Sequence, residues 1–212
     1  MGRISVISYG DYDFSHLSDD GILTVSNVLS RRKLRRYISR NSISKAVVKG
    51  DAPDFVYSEL SRAGVGLCKG EEFVKAIYSK LISRLAKVSG DLNVCTIYDD
   101  VADEFTLKVI KCAAEYFRYV ALSTPQNADF IAEEIMESTG LSLKLGDMGG
   151  VKILCRGNEQ CNTALNLTHR CSATFCDEKN RIISSDIAEA MAENDFSGDL
   201  LSRLKLKIHS LC

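Results

Sequence analysis

The sequence predicts an α/β protein of the doubly wound kind: a mainly parallel sheet with helices on both faces and a β-rich antiparallel extension near the C-terminus. Three observations carry this. Between Leu92 and Leu145 strand-like and helix-like segments alternate strictly. The two prolines, Pro53 and Pro125, each follow an apolar run and stand where a helix would begin. Gly64, Gly90 and Gly140 each close a helical pattern.

Taken in order, Ile4–Tyr9 is a first strand, and a polar stretch with Asp11, Asp13, Asp19 and Asp20 leads to a second over Ile22–Val25. A helix over Ser30–Arg40 has few apolar positions, Leu34, Tyr37 and Ile38. Ile43–Val48 is a strand, and Pro53 opens a helix with Phe55, Val56, Leu60 and Ala63 on its apolar face. A short strand over Val65–Cys68 precedes a long helix from Gly70 to Val88, with Phe73, Ile77, Leu81, Leu85 and Val88 on one face.

The central unit reads strand (Leu92–Tyr98), helix (Val101–Arg118), strand (Tyr119–Ser123), helix (Pro125–Thr139), strand (Leu141–Leu145). Asp100 is placed as an N-cap, Asp103 and Glu104 complement the first turn, and Glu104 pairs with Lys108 one turn on. After the Gly149-Gly150 turn, strands over Val151–Cys155, Thr163–Leu167, Ala173–Cys176 and Arg181–Ser184 lack intervening helices, which favours antiparallel pairing at the sheet edge. Helices are expected over Asp186–Glu193 and Phe196–Ser210. A single domain over residues 1–212 is the simplest organisation, with 89–91 as the place where two halves would meet.

Composition bounds the class. Apolar residues make up 45%, charged residues 26% and the formal net charge is −1, the profile of a globular protein. No apolar run approaches a membrane span, and the N-terminus lacks a signal-peptide apolar region, so the expected location is cytoplasmic. Val6 stands where a myristoylation motif after Gly2 needs Ser or Thr. The Asn166-Leu167-Thr168 sequon has no meaning without export.

In such a sheet, ligands bind beyond the carboxyl ends of the strands. That rim is expected at Lys49 and Asp51, Asp99 and Asp100, Ser123 and Thr124, and Asp147 and Gly149, with neighbouring glycines. No Gly-x-Gly-x-x-Gly or Walker pattern follows any strand, and Asp99-Asp100 would repel a pyrophosphate. Asp99, Asp100 and Asp103 could together chelate Mg²⁺, but capping and dipole roles already account for two of them.

Eight basic residues and no acid lie between Gly21 and Gly50. With one aromatic among them and no helix-turn-helix pattern, they read as a solvated face paired with Asp11–Asp20 or a second subunit, and nucleic acid is disfavoured. Of the eight cysteines, Cys68, Cys95 and Cys112 sit in apolar patterns as core residues. Cys155, Cys161, His169, Cys171 and Cys176 have ligand chemistry but no compact knuckle spacing, and no metal site is expected there.

The central unit resembles Rossmann-like domains in architecture, and the resemblance implies a ligand-binding rim with no reaction attached. The expected function is binding of a small polar or phosphorylated ligand at that rim, with catalytic residues and cofactor unassigned. The alternative is an interaction module that dimerises or docks a partner through the Arg31–Arg40 helix and the C-terminal helix.

Overall fold

The β-branched residues Ile4, Val6 and Ile7, with the small Ser5 and Ser8, make Arg3–Ser8 the first strand, β1, of a computed structural model that describes residues 3–26, 30–90, 93–157, 165–168, 171, 173–193 and 195–211. A 3₁₀ turn over Ser15–Asp20 connects it to β2 (Leu23–Ser26), which runs parallel to it. Helix α1 (Arg31–Asn41) buries only Leu34 and Ile38, one turn apart, as its sparse apolar pattern dictates. Strand β3 (Ile43–Lys49), helix α2 (Asp54–Arg62) and strand β4 (Gly66–Leu67) complete a four-stranded parallel sheet ordered β2-β1-β3-β4. Ile7, Ala46, Leu34, Ile38, Val56 and Leu60 form its core, so α1 and α2 cover one face.

The long helix expected after Gly70 is two helices, α3 (Glu71–Ala76) and α4 (Tyr78–Val88). The break costs no hydrogen bond at Ile77. Its N–H still donates to Phe73 O at 3.2 Å, and its carbonyl accepts from Lys80 and Leu81.

Strand β5 (Val94–Tyr98), helix α5 (Glu104–Ala114), strand β6 (Tyr119–Ser123), helix α6 (Ala128–Thr139) and strand β7 (Lys144–Leu145) realise the βαβαβ unit. Leu92 lies outside the described residues. The chain then crosses back to lay β8 (Val151–Leu154) beside β5, with β9 (Leu165–Asn166) beyond it. The order is β7-β6-β5-β8-β9, every pair parallel. This is the Rossmann-like arrangement, with strand order reversing between β5 and β8. Ile97, Val109, Ile110, Leu122, Ile131, Ile135 and Ile153 are all buried in this part of the chain.

Two expectations change here. The stretches around Val151 and Leu165 do not begin the antiparallel extension. They join the parallel sheet, where both faces are covered and near-continuous apolar runs are wanted. The extension is instead a separate three-stranded sheet, β11-β10-β12, formed by β10 (Thr174–Cys176), β11 (Ile182–Ser184) and β12 (Lys207–Ser210).

Helix α7 (Ser185–Met191) follows the expectation, but Phe196–Ser210 is not one helix. It holds α8 (Leu200–Arg203), a left-handed residue at Lys205 (φ 55°), and then β12 paired to β10 through Phe175–Ile208 and Cys176–Lys207. The positive φ ends any helix, and antiparallel pairing satisfies the backbone that follows.

By its contacts the chain divides into two units: Met1–Gly70 with Asp186–Phe196, and Glu71–Ser185 with Ser197–Cys212. The division precedes α3 because Phe73 packs edge-on against Phe175 of β10, both fully buried, at 5.1 Å between ring centres. Ser89 and Gly90 lie inside the second unit, and Asp91 lies outside the described residues. Among the described residues no helix is long and apolar enough to cross a membrane.

Candidate functional site

The turn after β5 is the place to begin, because strand order reverses beside it. Asp100 does not cap α5. Asp103 does, accepting from the N–H of Phe105 at 2.8 Å and of Thr106 at 3.3 Å, while Thr106 Oγ1 accepts from the Asp103 N–H at 3.0 Å. The Asp-x-x-Thr spacing of a capping box, starting at Asp103, decides between the two aspartates. The helix thus begins later than expected, at Glu104, with the anticipated Glu104–Lys108 pair at 2.8 Å.

Asp99 is buried, and its carboxylate accepts from Thr106 Oγ1 and from the Val101 N–H. Arg156, just past β8, reaches across the switch in strand order. Its Nε lies 3.3 Å from Asp99 Oδ1 and its Nη2 contacts Asp103. Burial pushes the Asp99 carboxyl up, against the lowering effects of Thr106, Arg156 and the Val101 N–H. Burial also pushes on Asp103, but Arg156 and the N–H groups of Thr106 and Phe105 hold its carboxyl below the usual value. Gly157 (φ +116°) lets this crossing happen, since a Cβ there would stand 2.5 Å from Asp100 Oδ1.

Around this crossing opens a cleft of about 400 Å³ at the carboxyl ends of β5, β6, β7 and β8. Asp99, Asp100, Ser123, Thr124, Gly146 and Arg156 supply its polar groups, and Leu122, Leu145 and Leu154 its apolar wall. Thr124 is ordered by a local turn, its Oγ1 donating to Gln126 O at 3.0 Å. Pro125 precedes α6 without opening it. The N-cap is Asn127 in the left-handed region (φ 62°), whose side chain donates to Ala102 O at 3.2 Å and leaves the helix N-terminus without a side-chain cap. Ala128, the first residue of α6, faces the cleft.

The rim expected from sequence is therefore divided. Asp99, Asp100, Ser123 and Thr124 come together in this cleft. Asp147 and Gly149 do not line it. Asp147 accepts from the Gly149 N–H at 2.6 Å and from Lys152 Nζ at 3.2 Å, and the Tyr98 hydroxyl with these two groups holds its carboxyl down to about 2. Lys152 in turn lies 5.3 Å from the Tyr98 ring centre.

Lys49 and Asp51 belong to the first unit, where Lys49 pairs with Asp186 of α7 and Asp51 is exposed in the turn after β3. At that sheet's own switch point, between β1 and β3, Gly50 (φ +79°) lies hard against the turn after β1. A Cβ on it would stand 1.7 Å from Tyr9 O. Arg156 is the site residue sequence reasoning missed, although a charged residue directly after the apolar strand Val151–Cys155 was a visible signal.

The other candidates resolve as follows. Two arginines of the basic run on α1 meet an acid of the neighbouring helix α2. Arg31 and Arg35 converge on the buried Glu59 of α2, and the bidentate Arg35 contact holds that carboxyl below its usual value. Cys68, Cys95 and Cys112 are buried free thiols, pushed by burial to about 11, 12 and 11. Cys155 is buried at the end of β8, and Cys171 and Cys176 are partly exposed; Cys161 and His169 lie outside the described residues. Among the described residues no cluster of three His, Cys, Asp or Glu side chains is placed to hold a metal. Asp103 is taken up as a cap and Asp99 by Thr106 and Arg156, which leaves Asp100 alone for such a role.

No family model matches the chain, and no curated protein matches it. Solved structures resemble it slightly. A D-isomer specific 2-hydroxyacid dehydrogenase from Lactobacillus delbrueckii ssp. bulgaricus, in its NAD-complexed form, has a TM-score of 0.31 at 10% identity, over 74% of this chain and 64% of its own. Aspartate transcarbamoylase from Trypanosoma cruzi gives 0.31 at 15%, over 72% and 61%. A chorismate mutase/shikimate 5-dehydrogenase fusion protein from Clostridium acetobutylicum gives 0.28 at 15%, over 76% and 72%. The chain spans less than two thirds of the first two. Similarity this slight carries no activity across.

Proposed function

We propose that the second unit is a binding module for a small polar ligand, held in the cleft at the carboxyl ends of β5 to β8. The observation that carries the reading is the convergence of Asp99, Asp100, Ser123, Thr124 and Arg156, from three separate strand ends, on one cavity of about 400 Å³. That volume lies within the range of small-molecule sites, and the position is where parallel sheets bind ligands. Its two sides ask for different chemistry. Asp99 and Asp100 suit hydroxyl or amine donors. The uncapped first turn of α6 offers backbone N–H groups to an anionic group such as a phosphate. The N-terminus of α5, the usual seat of a pyrophosphate in such folds, is filled by Asp103 and Arg156. No reaction is assigned.

The test is a thermal-shift panel of sugars, amino acids and their monophosphorylated forms, on the native protein and on Thr124→Trp, which fills the cleft. A ligand at about a hundred times its Kd stabilises by about 2.7 kcal/mol. The reading expects such a shift in the native protein and its loss in Thr124→Trp. A panel that shifts nothing, or a shift that survives the filled cleft, overturns it.

A further inference from the structure

A second cavity of the same unit shares no residue with the cleft. Along α4, Lys80, Arg84 and Lys87 stand at i, i+4 and i+7, on one helical face. They line a groove of about 400 Å³ together with the hydroxyls of Ser79 and Ser83, and Tyr116 and Ile208 supply its apolar part. No carboxylate is among the lining residues. Lys80 is balanced at the rim by Asp199, the cap of α8, whose carboxyl that lysine and Ser202 hold down to about 2. Arg84 and Lys87 form no ion pair with a described residue, unlike Lys75, Lys80, Lys108 and Lys152 of the same unit.

The contrast with the groove between α1 and α2 is informative. There the buried Glu59 neutralises Arg35 and Arg31 from within. The α4 groove keeps its positive charge facing outward.

We propose that this groove binds a nucleoside polyphosphate. Seven residues of helix carry the three cations across about 10 Å, wider than one phosphate and suited to two or three in a row. Charge-assisted contacts from guanidinium and ammonium groups, with the two serine hydroxyls beside them, match phosphate oxygens. Tyr116, 45% exposed, offers a flat ring next to those cations, on which a base stacks against the edge of Ile208.

The experiment is calorimetric titration of the full chain with ADP, with inorganic pyrophosphate and adenosine as separate arms, at low and at high salt. ADP is expected to bind, to weaken with added salt, and to bind more tightly than either fragment. Arg84→Gln and Lys87→Gln should each weaken it about tenfold, as loss of a charge-assisted contact implies. Tyr116→Ala should weaken ADP and leave pyrophosphate unchanged. All three positions are exposed, so circular dichroism should show the fold retained. Thr124→Trp should leave ADP binding intact, which separates this groove from the cleft. Absence of ADP binding at low salt overturns the proposal, as does binding that Arg84→Gln and Lys87→Gln leave unaltered. Equal affinity for ADP and pyrophosphate overturns the nucleoside part.

Discussion

Arg156 Nε stands 3.3 Å from the Asp99 carboxylate and so ties the end of β8 to the end of β5, across the point where strand order reverses. One residue of the pair is buried and the other is about one third exposed, so the contact sits between core and cleft. It fixes the floor of the proposed binding site.

Removing the guanidinium exposes how much Asp99 depends on it. Arg156→Gln leaves a buried carboxylate whose pKa is already raised by desolvation. A fully buried pair would cost more, but partial exposure of Arg156 reduces the expected loss to about 2 kcal/mol. The sign with pH follows from the raised pKa. The folded state binds this proton more tightly than the unfolded chain, so acidification relieves the variant. The stability deficit, read from urea unfolding, should be largest near neutrality and shrink as pH falls toward the carboxylate range. A deficit that grows on acidification contradicts the arrangement.

Gly50→Ala should damage the first unit. A methyl at that position meets the Tyr9 carbonyl at 1.7 Å in a backbone with φ +79°. Backbone must move, and the left-handed conformation adds its own strain, for a combined loss of at least about 2 kcal/mol. Gly64→Ala, where φ is +69° and no atom stands within 4 Å of the added Cβ, is the control and should lose less. Equal losses in the two variants would show that the contact between the turns is not what matters.

Acid stability should report on Asp147. Its carboxyl is held from an ordinary 3.8 down to about 2 by the Tyr98 hydroxyl, the Gly149 N–H and Lys152. A lowered folded pKa contributes stability that is complete above the unfolded value and is lost as pH falls through the window between the two. Asp147→Asn should therefore lower the melting temperature at pH 6 and converge on the native protein near pH 2. Parallel curves that never converge would contradict the ionised contact.

How far the sequence revealed this depends on whether a signal was local. The βαβαβ unit was legible because Val94–Tyr98 is a short run of β-favouring residues and Gly140 closes α6 in the left-handed region that its C-cap needs (φ 70°). The final segment was not. Leu200, Leu201 and Leu204 satisfy helical spacing, and Leu204, Leu206 and Ile208 satisfy strand alternation. Pairing with β10, some thirty residues away, selects the strand, and no local pattern records it. Asp100 and Asp103 differ as caps only through Thr106, a polar residue at the third helical position, where the capping box is read. Four of the eight rim residues expected from sequence share the cleft. Lys49 likewise ends a strand and Asp51, Asp147 and Gly149 follow strands, but their neighbours in space differ.

The central claim is that one cleft at the carboxyl ends of β5 to β8 receives the ligand. Amide chemical-shift mapping of the labelled chain, titrated with the panel compound that gives the largest thermal shift, tests it most directly. Perturbations should concentrate at Asp99, Asp100, Ser123, Thr124, Ala128 and Gly146, and vanish in Thr124→Trp. Perturbations confined to other surfaces, with these amides unmoved, would contradict it.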